Sequence, residues 1–354
     1  MHRLSTLPVL PLLGLVVMHG CGRHPSAPPR PGAAHVSPGA MMTAGATAAA
    51  SAGIENACPS AAPAAVPPPP PQIRHVIIIS EDGLRPDALI QANGSVHAWA
   101  MREGSFSLVA QTIRRASTLP SHAAMLSGFD EPAHKLWWNS WMPARGHIQV
   151  PTVFDAVTQS GYAAAAFVGK QKLEHIAYAG SVDVFSRPGL YCKQVVGDAA
   201  RYFVEKRPRL EFIHFSDPDE RGHAIGWMSE PQIEAIRHTD VCLATLIAAV
   251  RAAGLDQETL FILSADHGGH GRNHSGRIKE DRLIPWIAWG AGVRRDHRIT
   301  SPINTMDTAA TTLWALGYQP PPEIEGRPVL EAFFADQPVA SARPSPSDSA
   351  SASR

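Results

Sequence analysis

Several features that identify common functional classes are missing from this 354-residue chain. Its 31 Lys and Arg residues balance 31 Asp and Glu residues, so no whole-chain field attracts nucleic acid or anionic lipid. The four cysteines include no Cys-x-x-Cys pair and no zinc-finger spacing. No internal repeat is found. We therefore expect no specific nucleic-acid binding and no cysteine-ligated zinc module.

The N-terminus lacks an apolar run long enough to span a bilayer comfortably. Its shorter run, residues 7–18, suits the core of a signal peptide. Gly20 directly before Cys21 resembles the cleavage and lipidation site of bacterial lipoproteins. We predict a signal peptide over residues 1–21, a lipid anchor on Cys21, and an exported protein of the periplasm or outer membrane. Ordinary secretion with cleavage nearby is the alternative.

If Cys21 carries lipid, three cysteines remain, so at most one intramolecular disulfide forms. Cys192 with Cys242 is one pairing that an oxidising compartment would allow. The sequence leaves this pairing open.

Composition divides the chain into a central domain and two flanking segments. Residues 22–72 are rich in Ala and Pro and cannot bury a core, so they are predicted to be a disordered tether. Residues 337–354 are predicted to be a disordered tail. The whole chain is 44% hydrophobic, which is enough apolar material for a core. The intervening segment 73–336 has the length of a single α/β domain.

Apolar runs alternate with amphipathic stretches inside this segment. This alternation predicts a three-layer α/β/α fold, with a mostly parallel sheet and helices on both faces. In such sheets, functional groups gather at the carboxyl ends of the strands. The predicted strands are 75–80, 163–168, 210–215, 259–264 and 284–289, and the helix-like stretches are 86–102, 151–160, 232–253 and 305–316.

Two motifs in the N-terminal half carry candidate site residues. Asp82, followed by Gly83, stands at the end of the first predicted strand, a position from which a carboxylate can reach a shared metal site. Thr118 precedes Pro120, which fits the first turn of a helix, and the N–H groups there suit a phosphoryl oxygen. An Asp-Gly turn and a plain helix cap are the alternative interpretations.

Two further motifs follow later strands. Asp219 and His223 are four positions apart, close enough to bind one ion from a single helical turn. Asp266 and His267 are adjacent and are followed by glycines, which allow close approach around a cation. An acidic loop and a glycine-rich turn are the alternatives, but the second leaves three histidines within eight residues unexplained.

The order and placement of these motifs resemble the alkaline phosphatase superfamily, most closely its nucleotide pyrophosphatase/phosphodiesterase branch. The resemblance implies two Zn²⁺ ions, with Mn²⁺ or another divalent metal as the alternative. It implies that Asp219, His223 and a third histidine hold one ion. His274 is the first candidate for that third ligand and His270 the second. The other ion would be held by Asp82, Asp266 and His267, with Thr118 also bound to it.

The resemblance also implies a reaction. It predicts a phosphodiesterase that acts on a small-molecule phosphate ester through a covalent phosphothreonine at Thr118. A phosphomonoesterase and a phosphonate (C–P) hydrolase are alternatives on the same fold. A sulfatase is disfavoured, because those enzymes need a Cys or Ser where Thr118 stands and an Arg where His122 stands. A non-catalytic surface lipoprotein with a vestigial site is the alternative from another class.

Three residues are predicted to contact the substrate. Asn139 matches a position where the phosphodiesterase branch places an amide donor to the phosphoryl group, with aromatic packing as the alternative. Lys170 and Lys172 resemble the Lys-x-Lys-Leu segment of phosphonoacetate hydrolases, whose lysines contact a substrate carboxylate. A solvated helix start is the alternative for the lysines.

Overall fold

The computed structural model describes residues 66–274 and 278–334. The predicted signal peptide, Cys21, the tether up to residue 65 and the predicted tail lie outside these ranges. Within them, no helix combines the length and the apolar character needed to cross a bilayer.

Eight strands of the described residues form one sheet in the order β4-β3-β5-β1-β6-β7-β2-β8. Neighbours are parallel from β4 to β6, whereas β7 runs antiparallel to both β6 and β2. The predicted mostly parallel α/β fold is thus confirmed. The strands are His75–Glu81 (β1), Gly104–Gln111 (β2), Ala164–Val168 (β3), Val184–Ser186 (β4), Leu210–Phe215 (β5), Thr259–Ser264 (β6), Leu283–Gly290 (β7) and His297–Arg298 (β8).

The helices form two groups that pack against the sheet. One group joins α1, α2, α6, α7 and α8, and the other joins α3, α4, α5 and α10. The helices are Pro86–Ala92 (α1), Ser95–Glu103 (α2), Thr118–Ser127 (α3), Glu131–His134 (α4), Val153–Gln159 (α5), Cys192–Lys206 (α6), Asp217–Ile225 (α7), Glu230–Ala252 (α8), Lys279–Arg282 (α9) and Asp307–Ala315 (α10).

The predicted helix-like stretch 86–102 is two helices rather than one. Asn93 ends α1 in the left-handed conformation, with φ of 52°. The Asp240 carboxylate then accepts hydrogen bonds from the backbone N–H groups of Val96 and His97 and so caps α2. A Cβ at Gly94 would lie 2.4 Å from the Asp240 carboxylate, so a larger residue here would displace the capping group.

The central strands bring the sequence motifs to one edge of the sheet. Residues 76–79 of β1 are fully buried, as expected of a strand covered on both faces. Ser80 of β1 pairs with His214 of β5 on one side and with Ser264 of β6 on the other. The chain segments that leave these three strands therefore begin at the same level, which places their polar side chains together.

A disulfide joins Cys192, at the start of α6, to Cys242 in α8, with Cα atoms 6.1 Å apart. It supplies the pairing that the sequence left open. The backbone N–H of Cys192 donates to Asp217 Oδ2 at 2.8 Å. Asp217 begins α7, so the cross-link lies beside the helix that carries Asp219 and His223.

Glu211, within β5, is a buried ionisable residue whose effect on stability depends on pH. Both carboxylate oxygens are buried and find no hydrogen-bond partner among residues 66–274 and 278–334, and burial raises the pKa of this group well above its usual range. The folded protein therefore holds this proton to higher pH than the unfolded chain does. Its contribution to stability is present at low pH and is lost as the pH rises above the ordinary pKa of Glu.

Replacing Glu211 by leucine is expected to raise the free energy of unfolding by about 1–3 kcal/mol near pH 8, and by less at pH 4. Urea unfolding across this pH range measures the effect. Glu205→Leu makes the same substitution at an exposed position of α6 and should show no such pH dependence. A Glu211→Leu protein that is less stable at pH 8 would contradict the prediction.

Candidate metal centre

Two clusters of ligand-type side chains lie at the carboxyl end of the sheet. In each cluster, one ligand atom per residue lies within 4.8 Å of the others. Two ligands of one zinc ion, each about 2 Å from it, lie up to about 4 Å apart, so small shifts would suffice for binding. The clusters are Asp82, Asp266 and His267, all buried, and Asp219, His223 and His274, of which only Asp219 is buried. These are the two ligand sets that the sequence predicted.

Unpartnered polar atoms show that both clusters suit a divalent metal. Asp82 Oδ1, Asp219 Oδ1, Asp266 Oδ2 and His267 Nε2 are buried, and none has a hydrogen-bond partner among the described residues. His267 Nε2 lies 3.3 Å from both Asp82 Oδ1 and Asp266 Oδ2, and 3.9 Å from Asp219 Oδ1. Buried polar atoms without partners are costly unless they are paired or bind a metal. Oxygen and imidazole donors in this arrangement are typical zinc ligands.

The structure favours His274 over His270 as the third histidine. His274 Nε2 lies 3.8 Å from Asp219 Oδ1, and its Nδ1–H donates to the Ala116 carbonyl at 2.7 Å. That hydrogen bond fixes the tautomer, so Nε2 is an acceptor that can bind a cation, and it faces His223 Nε2 at 3.1 Å. His270 instead pairs its Nδ1 with Asp281 at 2.7 Å and belongs to neither cluster.

Lys170 has different partners from the substrate anion that was predicted for it. Its ammonium contacts Asp219 Oδ2 and lies 2.7 Å from Asp82 Oδ2. Burial would lower the pKa of Lys170, but these two carboxylates raise it above its ordinary value, so the side chain is cationic. Lys170 thus bridges one aspartate of each cluster through Oδ2 and leaves both Oδ1 atoms facing the histidines.

The charged groups around Asp82 and Asp266 shift the pKa values of these two buried carboxyls in opposite directions. Burial alone would raise the pKa of Asp82, but the Lys170 ammonium and a hydrogen bond from His214 hold it well below its usual range. Burial, with repulsion from Asp82, raises the pKa of Asp266 well above its usual range. Burial also lowers the pKa of His267 to about 4, so this imidazole is neutral at pH 7, the form that binds metal.

Thr118 is the first residue of α3, is buried, and lines a cleft of about 370 Å³. His122, one turn further on, holds this turn in place. Its Nδ1–H donates to the Thr118 carbonyl at 2.7 Å, and its Nε2 accepts from Ser80 Oγ at 2.8 Å. Burial keeps the pKa of His122 well below its usual range, so the ring is neutral, as this pairing requires.

Asn139 and Lys172 line the same cleft. Asn139 Oδ1 accepts from the backbone N–H of Leu119 at 2.9 Å and from Lys172 Nζ at 3.1 Å. Because both partners are donors, the amide orientation is settled and its NH₂ group remains available to a ligand. This arrangement fits the predicted role of Asn139 as a donor.

Two buried residues that the sequence analysis did not single out position the ligands. His214 accepts from the Gly169 N–H through Nδ1, and its Nε2–H therefore donates to Asp82 Oδ2 at 3.0 Å. It was hidden within the apolar run of β5. Trp227 donates from Nε1 to the Gly83 carbonyl at 2.9 Å and meets the His223 ring edge to face.

Trp227 also explains two glycines beside the ligands. A Cβ on Gly222 or Gly269 would lie only 2.7 or 2.2 Å from atoms of the Trp227 ring. One indole therefore packs against the segments after β1 and β6 and against α7. The glycines near the ligands were the available signal, but their partner is not apparent from local sequence.

Replacing Lys170 by methionine is expected to destabilise the protein in EDTA by about 3–5 kcal/mol, because buried carboxylates would lose their cation. Zinc should then stabilise the variant more than the wild type, since the ion would relieve this added repulsion. Melting temperatures with EDTA and with Zn²⁺ measure both effects. Lys172→Met, which removes a cleft lysine without touching Asp82 or Asp219, is the control. Equal zinc-induced shifts in wild type and Lys170→Met would contradict the prediction.

Comparison with known proteins agrees with the fold and the motifs. Residues 76–289, from β1 into β7, match the family model of type I phosphodiesterase / nucleotide pyrophosphatase. GPI ethanolamine phosphate transferase 1 of Homo sapiens is 25% identical over 288 residues, which cover 70% of this chain and 29% of that protein. A 2,3-bisphosphoglycerate-independent phosphoglycerate mutase of Synechococcus sp. is 29% identical over 175 residues, covering 45% and 31%. The chain thus spans less than a third of the length of these relatives.

Solved structures show the same fold at low identity. Murine ectonucleotide pyrophosphatase / phosphodiesterase 5 superposes with a TM-score of 0.61 at 14% identity, over 70% of this chain and 96% of that one. That structure is of an inactive threonine-to-alanine variant in complex with AMP. A putative sulfatase from Bacteroides thetaiotaomicron gives a TM-score of 0.64 at 17% identity, over 76% of each chain.

The family match runs from β1 into β7 and includes all four ligand-bearing motifs, and the family is typically dependent on divalent metals and acts on small-molecule phosphate esters such as nucleotides. The chain belongs to the type I phosphodiesterase / nucleotide pyrophosphatase family, whose members are phosphoric ester hydrolases.

Proposed function

We propose that this protein is a two-zinc phosphodiesterase that acts through a covalent phosphothreonine at Thr118. The observation that carries the proposal is the position of Thr118. It is the first residue of a buried helix, and it lines one cleft together with Asp219, His223 and His274. The inactive threonine-to-alanine variant of the murine structural neighbour supports a threonine as the reacting group.

Asp82, Asp266 and His267 would hold one ion, and Asp219, His223 and His274 the other. Two bound cations stabilise the charge that develops on the phosphoryl group and favour the ionised form of an adjacent hydroxyl. The chain itself contributes the placement of Thr118, which His122 and Ser80 fix at the start of α3.

The reaction has two balanced steps. Thr118 Oγ1 forms a bond to phosphorus while the bond from phosphorus to the leaving oxygen breaks, and the hydroxyl proton passes through solvent to the leaving alcohol. Water then forms a bond to phosphorus while the bond to Thr118 Oγ1 breaks, which restores the threonine hydroxyl. The products are an alcohol and a phosphate monoester.

Asn139 supports a diester over a monoester. Its free NH₂ group is a neutral donor, which suits a singly charged phosphoryl group better than a dianion. A phosphomonoesterase or a phosphonate hydrolase is the alternative on the same site. A panel of matched mono-, di- and phosphonate esters separates these three activities.

The relatives suggest a second acceptor of the phosphoryl group, an alcohol in place of water. One is a transferase and another a mutase, whereas the murine structural neighbour is a pyrophosphatase / phosphodiesterase. If an alcohol replaces water in the second step, added glycerol or ethanolamine should divert product from the free monoester to a new diester. Product analysis by ³¹P NMR measures this partition.

The decisive experiment combines metal analysis with one assay. We expect about two zinc per chain and release of p-nitrophenol from bis-p-nitrophenyl phosphate. A folded protein that binds no zinc and leaves this reagent intact would support the non-catalytic surface lipoprotein instead.

We further propose that the protein is exported and anchored through Cys21. The Cys192–Cys242 disulfide supports an oxidising compartment. Expression with labelled palmitate should label the wild type but not a Cys21→Ser variant. Equal labelling, or none in either protein, would contradict the anchor.

A further inference from the structure

We infer that Arg187 and Lys172 form an anion-binding subsite in the cleft, which selects phosphate esters that carry a second anionic group. The inference rests on the proposed function, because it concerns the substrate of the Thr118 site. The group in question is a carboxylate or a phosphate joined to the scissile phosphoryl group by a short linker.

Arg187 is an exposed residue that lines the cleft, and its guanidinium makes one hydrogen bond within the described residues. It follows β4, and its Nε–H donates to the Gly169 carbonyl at 3.2 Å. This bond leaves the two terminal nitrogens of the guanidinium available. A planar fork of N–H donors matches a carboxylate or a phosphate, which it can bind through two parallel hydrogen bonds.

Neither Lys172 nor Arg187 has a carboxylate within ion-pair distance in the described part of the chain. The contacts of Lys172 and Arg187 there are to neutral oxygens, those of Asn139 and Gly169, and neither side chain forms an ion pair. Lys170 differs, because its ammonium is already held by Asp82 and Asp219. The predicted pair of anion-binding lysines is thus replaced by a lysine and an arginine from neighbouring strand ends.

The subsite lies next to the reacting group. Asn139 Oδ1 joins Lys172 to the backbone N–H of Leu119, the residue that follows Thr118. An anion bound by Lys172 would therefore lie in the same cleft as a phosphoryl group at Thr118. Trp141 also lines the cleft and is 38% exposed, so the linker would lie beside an aromatic face.

Matched diesters test the subsite. The substrates are p-nitrophenyl phenyl phosphate and two analogues with either a carboxylate or a phosphate on the phenyl ring. We expect wild type to favour at least one charged analogue by about tenfold or more in kcat/KM. Arg187→Gln and Lys172→Gln should each reduce this ratio at least about fivefold, mainly through KM of the charged substrate. The preferred analogue identifies the anion.

Arg201→Gln is the control, because Arg201 is an exposed arginine of α6 that pairs with Asp198 and does not line the cleft. It should leave the ratio unchanged. A wild-type ratio near one, or a ratio that Arg187→Gln and Lys172→Gln do not alter, would overturn the subsite.

A binding experiment tests the subsite independently of the proposed activity. If wild type hydrolyses none of the diesters, calorimetry with 3-phosphonopropionate and ethylphosphonate compares the same charge difference without a reaction. Tighter binding of 3-phosphonopropionate that is lost in Arg187→Gln would retain the subsite while the proposed activity fails. Equal affinities would reject the subsite.

Discussion

Replacing Thr118 by alanine is expected to lower kcat/KM for diester hydrolysis by at least about 10³-fold, equivalent to about 4 kcal/mol of transition-state stabilisation. The variant loses the only atom of this residue that can bond to phosphorus. The turn itself should survive, because His122 contacts the Thr118 carbonyl rather than its side chain. Initial rates with bis-p-nitrophenyl phosphate measure the loss.

Two controls make the Thr118 result specific. Thr118→Ser keeps a hydroxyl and should retain far more activity than the alanine variant. Zinc content and melting temperature of Thr118→Ala should stay near the wild-type values, which excludes a collapsed site. Acid-quenched wild type should carry the substrate-derived phosphoryl adduct on the peptide that contains Thr118. An alanine variant with more than a tenth of wild-type activity would refute the covalent route.

Replacing Asp266 by asparagine is expected to remove about one zinc per chain and to lower activity by at least about 10³-fold. The fold should tolerate this change unusually well in EDTA. Burial and repulsion from Asp82 raise the pKa of Asp266 well above its usual range, which favours the protonated carboxyl when no added cation is bound, and an amide mimics that form. The contact of the Gly83 N–H with Oδ1, 3.1 Å in the wild type, can also be kept.

The pH dependence of stability should differ between wild type and Asp266→Asn. A raised acidic pKa contributes stability at low pH that is lost as the pH increases. In EDTA, wild type should therefore lose stability between pH 4 and pH 8 more steeply than Asp266→Asn does. Asp82→Asn is the matched contrast, because Asp82 is ionised beside Lys170 and its loss should destabilise the protein at neutral pH. If Asp266→Asn and Asp82→Asn changed the stability in the same way, the opposite pKa shifts assigned to Asp266 and Asp82 would be wrong.

The strands that hold the site were predictable because their burial is simple. β1 and β6 are covered on both faces, so their central residues form continuous apolar runs, whereas β5 is equally buried but includes Glu211 and His214 among its apolar residues. β2 was missed because buried and part-exposed residues are mixed along Gly104–Gln111. The break between α1 and α2 was also missed, because the capping carboxylate of Asp240 comes from a distant helix.

The ligand types were predictable for a related reason, since Asp82, Asp219, Asp266 and His267 each follow a strand. What the sequence could not show were contacts between distant segments. The partners of Lys170 lie on two other strand ends, and the Ala116 carbonyl that orients His274 precedes it by 158 residues. Such pairings depend on packing rather than on local pattern.

The Cys192–Cys242 bond also bears on how the protein matures. It closes a segment with a sequence separation of 50, and that segment contains β5 and the whole of α7. Disulfide formation and metal binding would therefore constrain the same stretch of chain. Each step restricts the conformations left to the other, which links assembly of the centre to the redox state of its surroundings.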